Sequence, residues 1–390
     1  MLKTYKYKLT PNQEQIILLN KHFGCVRFIY NYFLNERIKE YETNKQAITY
    51  FDDCKKLSSI KKSDEYYWLK EVNSQSLQHS LKHLDGAYNN FFKSRAKFPK
   101  FKSKHNKNSF NVPQGVKLIN NKLFIRKFSE GIEINLHRKF SGEIRQCTIS
   151  KTHTNEYFVS VLVETIHTKL PKTSKEVGID LGVKDFVITS DGYKYKNNKY
   201  TKHYEKKLKR AQQHLSRKIK GSNRYELQRL KVAKIHKKIT NSRMDNLHKI
   251  STELISNYDV IMLEDLNIKG MIKNHKLAKH ISDASWGSFI QMLNYKAEWN
   301  DKQIIKINRF YPSSKACNDC SYINQGLKLD IRTWKCPRCG VVHDRDINAA
   351  KNIYKEGLKI LSSGTDDYRR GDQIRPILIG TVNETSKILN

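Results

Sequence analysis

Apolar residues near the start of the chain recur at steps of three and four, as they do on one buried face of a helix. A short strand-like segment comes first, and Thr10-Pro11 then predicts a helix with Thr10 as its N-cap and proline in its first turn. The apolar face of this helix carries Ile16, Leu19, Phe23, Val26, Tyr30 and Phe33. A second helical face carries Leu77, Leu81, Leu84, Tyr88 and Phe91. Core packing explains both.

From about residue 115 to 165 the pattern changes to short runs of β-branched and aromatic residues. Turn signals separate these runs, at Asn120-Asn121, Gly131 and Asn155. Such runs are typical of antiparallel strands. We therefore expect an antiparallel β-barrel in this part of the chain.

After Glu176, predicted strands alternate with predicted helices. Two apolar runs, 177–181 and 186–190, predict a hairpin, and Asp191-Gly192 supplies the following turn. Residues 201–257 are helical in pattern, 260–264 and 304–307 read as strands, and Ser285-Trp286 begins another helix. This order is typical of an α/β domain with an RNase H-like sheet.

Charge adds the first functional constraint. The 390 residues have 38% hydrophobic content, enough for a folded protein, and a formal net charge of +35. A surplus this large indicates a polyanionic partner, and nucleic acid fits best. A membrane partner is disfavoured, since no run approaches the roughly 18 apolar residues that a spanning helix needs. The first ten residues lack the apolar core of a signal peptide, so we expect a cytoplasmic protein.

Two basic stretches are candidates for the nucleic-acid contact. The segment 91–110 alternates aromatic and basic residues, which suits base stacking and phosphate neutralisation; a solvated linker with tucked phenylalanines explains it equally well. The helical segment 201–257 has too few acidic residues to offset its charge. The predicted contacts are Arg95, Lys97, Lys100, Lys102, Lys206, Lys207, Lys209, Arg210, Arg217 and Lys218.

Four of the seven cysteines have the spacing of a zinc site. Two Cys-x2-Cys pairs, Cys317/Cys320 and Cys336/Cys339, are separated by fifteen residues. Four thiolates leave no open coordination position, so we expect one structural Zn2+. The other cysteines are single and read as reduced, packed thiols.

Three acidic residues stand in positions that ordinary packing does not favour. Asp180 and Glu264 each lie in an otherwise apolar strand, where a charge is costly unless it is paired or binds a cation. Asp346 follows the second cysteine pair at the predicted start of a helix. We hypothesise that the three converge on two divalent ions. The pattern leaves Asp265 open as a replacement for Glu264, and favours turn or capping roles for neighbouring acids such as Asp344.

The segments GIDLGVKDF and IMLEDL, followed by the four-cysteine insert and DRDINAAKNI, resemble TnpB. This transposon-encoded family of RNA-guided nucleases is related to type V CRISPR effectors, and the resemblance covers about residues 5–355. It implies a wedge barrel (1–10 and 111–170), an inserted helical recognition lobe (11–110), a RuvC-like nuclease domain (171–312 and 344–360) and a zinc-ribbon insert (313–343). Residues 361–390 are expected to form a flexible tail.

The resemblance also implies an activity. Asp180, Glu264 and Asp346 would bind two Mg2+ ions and cleave DNA that a transposon-derived guide RNA selects beside a short flanking motif. The implied partners are that RNA and double-stranded target DNA, with one RNA on a monomeric protein. A family pattern further suggests that Arg243 pairs with Asp245. Some relatives lose the acids and act as RNA-guided repressors, and RNase H-like transposases use a similar triad, so both alternatives stay open.

Overall fold

The computed structural model describes residues 1–328 and 330–363. They divide into two compact units, one made of Met1–His167 and Arg217–Lys234, the other of Thr168–Ser216 and the chain from Ile235 onward. Most of the predicted tail, residues 364–390, lies outside the described residues. Among the described residues we find no helix with the length and apolar character needed to cross a bilayer.

The first unit combines a long helix, shorter helices and one large sheet. A 3-10 helix, Asp64–Glu71, lies between its second and third α-helices. The helices are α1 Gln13–Asn44, α2 Tyr50–Ile60 and α3 Ser74–Phe92. The strands are β1 Leu2–Leu9, β2 Asn108–Val112, β3 Lys117–Ile119, β4 Lys122–Ile125, β5 Phe128–Asn135, β6 Glu143–Lys151 and β7 Tyr157–Glu164.

Helix α1 begins later than the sequence predicts, because its N-cap is Asn12. The Asn12 side chain accepts from the amide of Gln15, and the Gln15 side chain accepts from the amide of Asn12, at 2.8 and 3.1 Å. This reciprocal capping box satisfies two helix-end donors. The predicted cap, Thr10, instead extends the sheet by donating its amide to the carbonyl of Glu133 at 2.9 Å.

The predicted antiparallel barrel is wrong, because the seven strands form an open sheet. Their order is β2-β6-β7-β1-β5-β4-β3, and within the described residues no pairing joins the two edge strands β2 and β3. Helices cover the apolar face that a closed barrel would have turned inward. Phe110 of β2 packs against His22 and Phe23 of α1, with ring centroids 4.8 and 5.4 Å apart.

The second unit is built around a smaller sheet. Residues 235–257 of the long helix α5 belong to it. The helices are α4 Tyr200–Ser216, α5 Asn223–Asn257, α6 Ile268–Met271, α7 His275–Ala284, α8 Trp286–Asn300 and α9 Arg345–Ser362. The strands are β8 Glu176–Leu181, β9 Asp185–Thr189, β10 Lys194–Lys196, β11 Val260–Glu264, β12 Gln303–Ile307, β13 Thr333–Lys335 and β14 Val342–Asp344.

This sheet has the strand order β10-β9-β8-β11-β12. The β8–β11 and β11–β12 pairs are parallel, and the β8–β9 and β9–β10 pairs are antiparallel. Helices lie on both of its faces. Ile179 and Leu263 pack in the core that contains Phe289 of α8, whereas Met262 packs with Ile353 of α9. Alternate residues of the central strands therefore face α8 and α9 in turn.

Candidate active site

Two carboxylates leave the central strands on the same face. Gly178 of β8 and Met262 of β11 pair in register, and both lie against α9. Asp180 and Glu264 come two residues later on their strands. Because side chains in a strand repeat their direction every second residue, Asp180 and Glu264 also face α9 and stand side by side.

The approach of α9 depends on two glycines. A Cβ atom at Gly178 would lie 2.3 Å from the carbonyl oxygen of Ala350, and one at Gly357 would lie 2.5 Å from Cγ of Met262. Both distances are far below van der Waals contact, so only glycine permits this packing. The helix backbone therefore rests directly on the strands that carry the two acids.

The third acid is placed by the cap of α9. The Asp344 carboxylate accepts hydrogen bonds from the amides of Asp346 and Ile347, at 3.1 and 3.0 Å, and so acts as the N-cap. Asp346 then occupies the first turn, at the end of the helix that leads toward Asp180 and Glu264. A capping role for Asp344 is as the sequence predicts.

The charges of Glu264 and Asp346 act on Asp180. Part of Asp180 remains accessible to solvent, but protein atoms surround its carboxyl group. That desolvation, followed by the negative charges of Glu264 and Asp346, raises the pKa of Asp180 to about 7. Desolvation also raises the pKa of Glu264, although a hydrogen bond from Ser313 opposes it. The region therefore concentrates negative potential that a divalent cation would relieve.

Asp180→Asn is expected to stabilise the magnesium-free protein at pH 8. The folded-state pKa of about 7 lies above the ordinary 3.8, so stability linked to this proton is lost as the pH rises from 3.8 to 7. Denaturation at pH 8 should show a gain on the order of a few kcal/mol. The gain should narrow by about 1 kcal/mol at pH 6. Asp185→Asn is the control, and a destabilised Asp180→Asn at pH 8 would contradict this environment.

Neighbouring side chains hold two of the acids in this structure. The Ser313 hydroxyl donates to Oε1 of Glu264, and Nη1 of Arg332 lies 3.0 and 3.2 Å from the two Asp346 carboxylate oxygens. In residues 1–328 and 330–363, the groups whose ligand atoms all lie within 4.8 Å of one another are formed by the cysteine insert and its neighbours, and the triad is not among them. The three carboxylates thus share a region without forming a tight cage.

The acids that flank the triad have other partners. Asp265 pairs with the guanidinium of Arg309, which also donates its Nε to the Asp265 carbonyl at 2.8 Å. Asp344 pairs with Lys194 at 2.6 Å. Desolvation would raise the pKa of Asp344, but this ion pair and the capping amides keep it below its ordinary value. The geometry therefore favours Glu264 over Asp265 as the carboxylate on the α9 face.

The four predicted zinc ligands form one cluster. Their sulfur atoms all lie within 4.8 Å of one another. The Cys317–Cys339 and Cys320–Cys336 Sγ pairs are each 3.6 Å apart. A tetrahedral zinc with Zn–S bonds of about 2.3 Å has edges of about 3.8 Å, so the cluster fits this metal.

Each cysteine pair closes the same tight turn. In the first, the amide of Ser321 donates to the Cys317 carbonyl at 2.9 Å; in the second, Gly340 donates to Cys336 at 2.9 Å. Ser321 and Gly340 both have positive φ, 62° and 78°. Glycine adopts this conformation without strain, whereas serine at the first turn pays a small conformational cost.

The insert is tied to the start of α9 by Arg345. Its amide donates to the carbonyl of Arg332 at 2.8 Å, and its buried guanidinium donates to the carbonyl of Lys328 at 2.8 Å. On the next turn, Asn348 donates to the carbonyl of Ala316 at 2.7 Å. Sequence reasoning did not identify these contacts or Arg332 and Ser313. The run of polar residues on the buried side of α9 is the sequence feature that could have indicated these contacts.

Family comparisons cover most of the chain in three pieces. Residues 158–275 match a family described as "Probable transposase" (OrfB, IS605), and residues 286–353 match the "Cas12f1-like, TNB domain". Residues 1–46 match a "Helix-turn-helix domain". In this structure that third segment is strand β1 followed by the single 32-residue helix α1.

Full-length relatives decide the family. A Streptomyces pristinaespiralis protein named "Putative RNA-guided DNA endonuclease" is 37% identical over 96% of this chain and 92% of its own length. The Escherichia coli K12 protein "Putative RNA-guided DNA endonuclease InsQ" is 31% identical over 93% and 94%. The chain belongs to the TnpB/OrfB family. A mimivirus TnpB-like protein is 27% identical over 53% of this chain and 42% of its own length.

A solved structure supports the family fold. The chain is similar to the protein in the cryo-EM structure of a Cas12f1-sgRNA-target DNA complex, with a TM-score of 0.54, 14% identity, and coverage of 88% of this chain and 83% of that one. At this identity the likeness concerns the mixed α+β fold, and that part of the predicted fold class is confirmed.

The basic residues predicted to contact nucleic acid in this family member are on the surface. The cationic residues of α4 and its following loop, Lys206, Lys207, Lys209, Arg210, Arg217 and Lys218, are exposed, as are Arg95, Lys97 and Lys100. Lys102 differs. The residue as a whole is exposed, but its ammonium lies 3.7 Å from the ring centroid of Tyr30, and desolvation there lowers its pKa to about 8.

One predicted ion pair is wrong. Arg243 contacts Asp283 at 2.9 Å, whereas Asp245 contacts Lys249 at 2.7 Å. Arg243 and Asp245 are two residues apart on a helix, so they point in different directions and cannot meet. Asp283 also accepts from the Thr201 hydroxyl at 2.6 Å, which joins α7 to the start of α4.

Proposed function

We propose that this chain is an RNA-guided DNA endonuclease with a RuvC-like active site at Asp180, Glu264 and Asp346. The observation that carries the proposal is geometric: Asp180 and Glu264 stand side by side on paired strands that face α9, and Asp346 lies in the first turn of that helix. Burial and the charges of the other two acids raise the pKa of Asp180 accordingly. Relatives that match over nearly their full length bear the name "Putative RNA-guided DNA endonuclease". A nuclease needs such a concentration of carboxylates, whereas a protein that only binds DNA does not.

The three carboxylates fit Mg2+, which prefers hard oxygen ligands and needs few of them from the protein. When bound, a pair of such ions would activate water and stabilise the leaving oxygen of a phosphodiester. Asp180 would bind the ions in its deprotonated form. Because its pKa is raised to about 7, less of that form is present below pH 7. The Ser313 hydroxyl and the Arg332 guanidinium would hold Glu264 and Asp346 beside these ions.

The four cysteines would hold one Zn2+ with a structural role. Four thiolates complete a tetrahedron, so no position remains for substrate. Through Arg345 the insert fixes the start of α9, and through Arg332 it contacts Asp346 directly. The zinc would therefore support the geometry of the acidic site without taking part in the reaction.

The wedge and recognition segments (1–10, 111–170 and 11–110), with the exposed cations of α4, would bind a transposon-derived guide RNA and the target duplex, one RNA on a protein monomer. The nuclease segments (171–312 and 344–360) would carry out cleavage, and the insert (313–343) would lie beside the substrate. The wedge in this proposal is the open seven-stranded sheet and not a closed barrel. The net charge of +35 supports a polyanionic partner of this size.

Neutralising four cations of α4 is expected to weaken guide-RNA binding. The variant K206A/K207A/K209A/R210A should reduce the slope of log affinity against log salt by up to about 3, because each phosphate contact releases less than one counterion. Filter binding at several salt concentrations measures this slope. The control, K172A/K175A/K269A/K273A, removes the same charge from exposed sites of the nuclease segments, which are not assigned to the guide RNA. An equal loss in both variants would show that net charge alone binds RNA.

Plasmid cleavage with the co-purified RNA tests the proposal. Magnesium-dependent cutting that follows the guide sequence supports it, and tight guided binding without cutting would favour an RNA-guided repressor. The description "Probable transposase" favours a second candidate, DNA strand transfer. Joining of DNA ends in the absence of RNA would support that function.

A further inference from the structure

His343 lies against the cysteine cluster without belonging to it. Its Nε2 is 3.0 Å from Sγ of Cys317, and the residue is 7% exposed. The possible ligand atoms of His343, Cys317 and Asp319 all lie within 4.8 Å of one another. Among the described residues, His343 does not form such a set with Cys320, Cys336 and Cys339. The imidazole therefore touches one corner of the four-sulfur tetrahedron from outside.

We propose that His343 donates a hydrogen bond from Nε2–H to the thiolate of Cys317 and thereby stabilises the metal centre. This inference rests on the zinc site of the proposed function. A zinc with four thiolates carries a net charge of two minus, which is costly to bury unless donors face the sulfur atoms. Cys317 is 1% exposed, so water cannot supply that donor easily.

The other neighbours of His343 leave Cys317 as its hydrogen-bond partner. The Asp319 carboxylate lies 3.7 Å from the same nitrogen, beyond hydrogen-bond distance, and its side chain is exposed. The Trp334 ring packs against the imidazole, with centroids 4.9 Å apart. The indole holds the ring in place, and Cys317 is the acceptor at its edge.

His343 also connects the cluster to the acidic site. It pairs with Trp334 in the β13–β14 hairpin, and Thr333 pairs with Asp344 beside it. Arg332 immediately precedes this hairpin, and Asp344 caps the helix that carries Asp346. A displaced imidazole would therefore disturb both groups that position Asp346.

Two substitutions separate the donor from the ring. His343→Gln keeps an N–H donor without the aromatic ring, and His343→Phe keeps a ring against Trp334 without a donor. Full-length protein is loaded with zinc, and zinc release to excess chelator is followed with a chromogenic indicator. His343→Phe is expected to release zinc about tenfold faster than the unmodified chain, and His343→Gln within about threefold of it.

Cobalt substitution supplies a second signature. The sulfur-to-cobalt charge-transfer band should shift in His343→Phe and stay in place in His343→Gln. With zinc saturating, guided cleavage should slow in His343→Phe alone. His343→Leu is a second donor-free variant for use if phenylalanine disturbs the circular dichroism spectrum.

The outcomes distinguish the inference from the zinc assignment. If the unmodified chain holds one zinc and His343→Phe releases it no faster than the unmodified chain does, the hydrogen bond is overturned and the zinc site stands. If His343→Gln releases zinc as fast as His343→Phe, and both release it faster than the unmodified chain, an N–H donor at this position does not hold the metal and the inference also fails. An unmodified chain with reduced cysteines and no zinc overturns both.

Discussion

Glu264→Gln is expected to abolish guided DNA cleavage, whereas Asp265→Asn, one residue further on, should retain it. The loss should be at least on the order of a thousandfold, because a missing metal ligand removes several kcal/mol of transition-state stabilisation. Glu264 shares the α9 face with Asp180, and Asp265 is occupied by the guanidinium of Arg309 at the surface. Each substitution is nearly isosteric, so the comparison isolates the position of the charge.

Cleavage of a guide-matched plasmid in Mg2+ measures the difference, and guide-RNA affinity is measured in parallel. Both variants should bind RNA within about twofold of the unmodified chain, because neither alters the exposed cations. Full cutting by Glu264→Gln would remove Glu264 from the mechanism. Loss of cutting by Asp265→Asn alone would move the ligand to Asp265, the alternative that the sequence leaves open.

The positions of Asp180 and Glu264 follow from the sequence because strand periodicity is local. An acid inside an apolar strand needs a partner, and two parallel strands with the same alternation bring such acids together. The sequence could not show that α9 would lie on that face. That placement depends on Gly178 and Gly357, whose missing side chains matter only once the helix is known to cross there.

The barrel prediction failed for a related reason. Alternation in the segment 115–165 identifies strands with one buried face, but it does not say what covers that face. In this structure Phe110 packs on α1, so a helix buries the apolar face that opposite strands would bury in a closed barrel. The ion pair between Arg332 and Asp346 could not be predicted, because a contact between separate segments produces no periodic pattern in the sequence.

Cys336→Ser is expected to unfold the insert and abolish cleavage while leaving guide-RNA binding intact. The buried apolar cluster of the insert consists of Cys317, Leu327, Trp334 and Cys336, and two of these are proposed zinc ligands. Burial in so small a core does not offset the conformational entropy that the segment loses when it becomes ordered. Zinc binding contributes about 10 kcal/mol or more. Without the fold of the insert, Arg332 and Arg345 lose their fixed positions beside α9.

Limited proteolysis and zinc content measure the effect of Cys336→Ser. The expected result is cleavage by protease within residues 317–339, zinc near zero, and DNA cutting reduced at least on the order of a hundredfold, because the start of α9 no longer holds Asp346 in place. Cys54→Ser, a single cysteine on α2, is the control and should keep both zinc and cutting. Normal cutting by a zinc-free, protease-sensitive Cys336→Ser would show that Asp346 is positioned by the α9 cap and the glycine-mediated packing alone. Such a result would assign the insert to substrate binding, since its contacts with α9 would then be dispensable for the geometry of the acids.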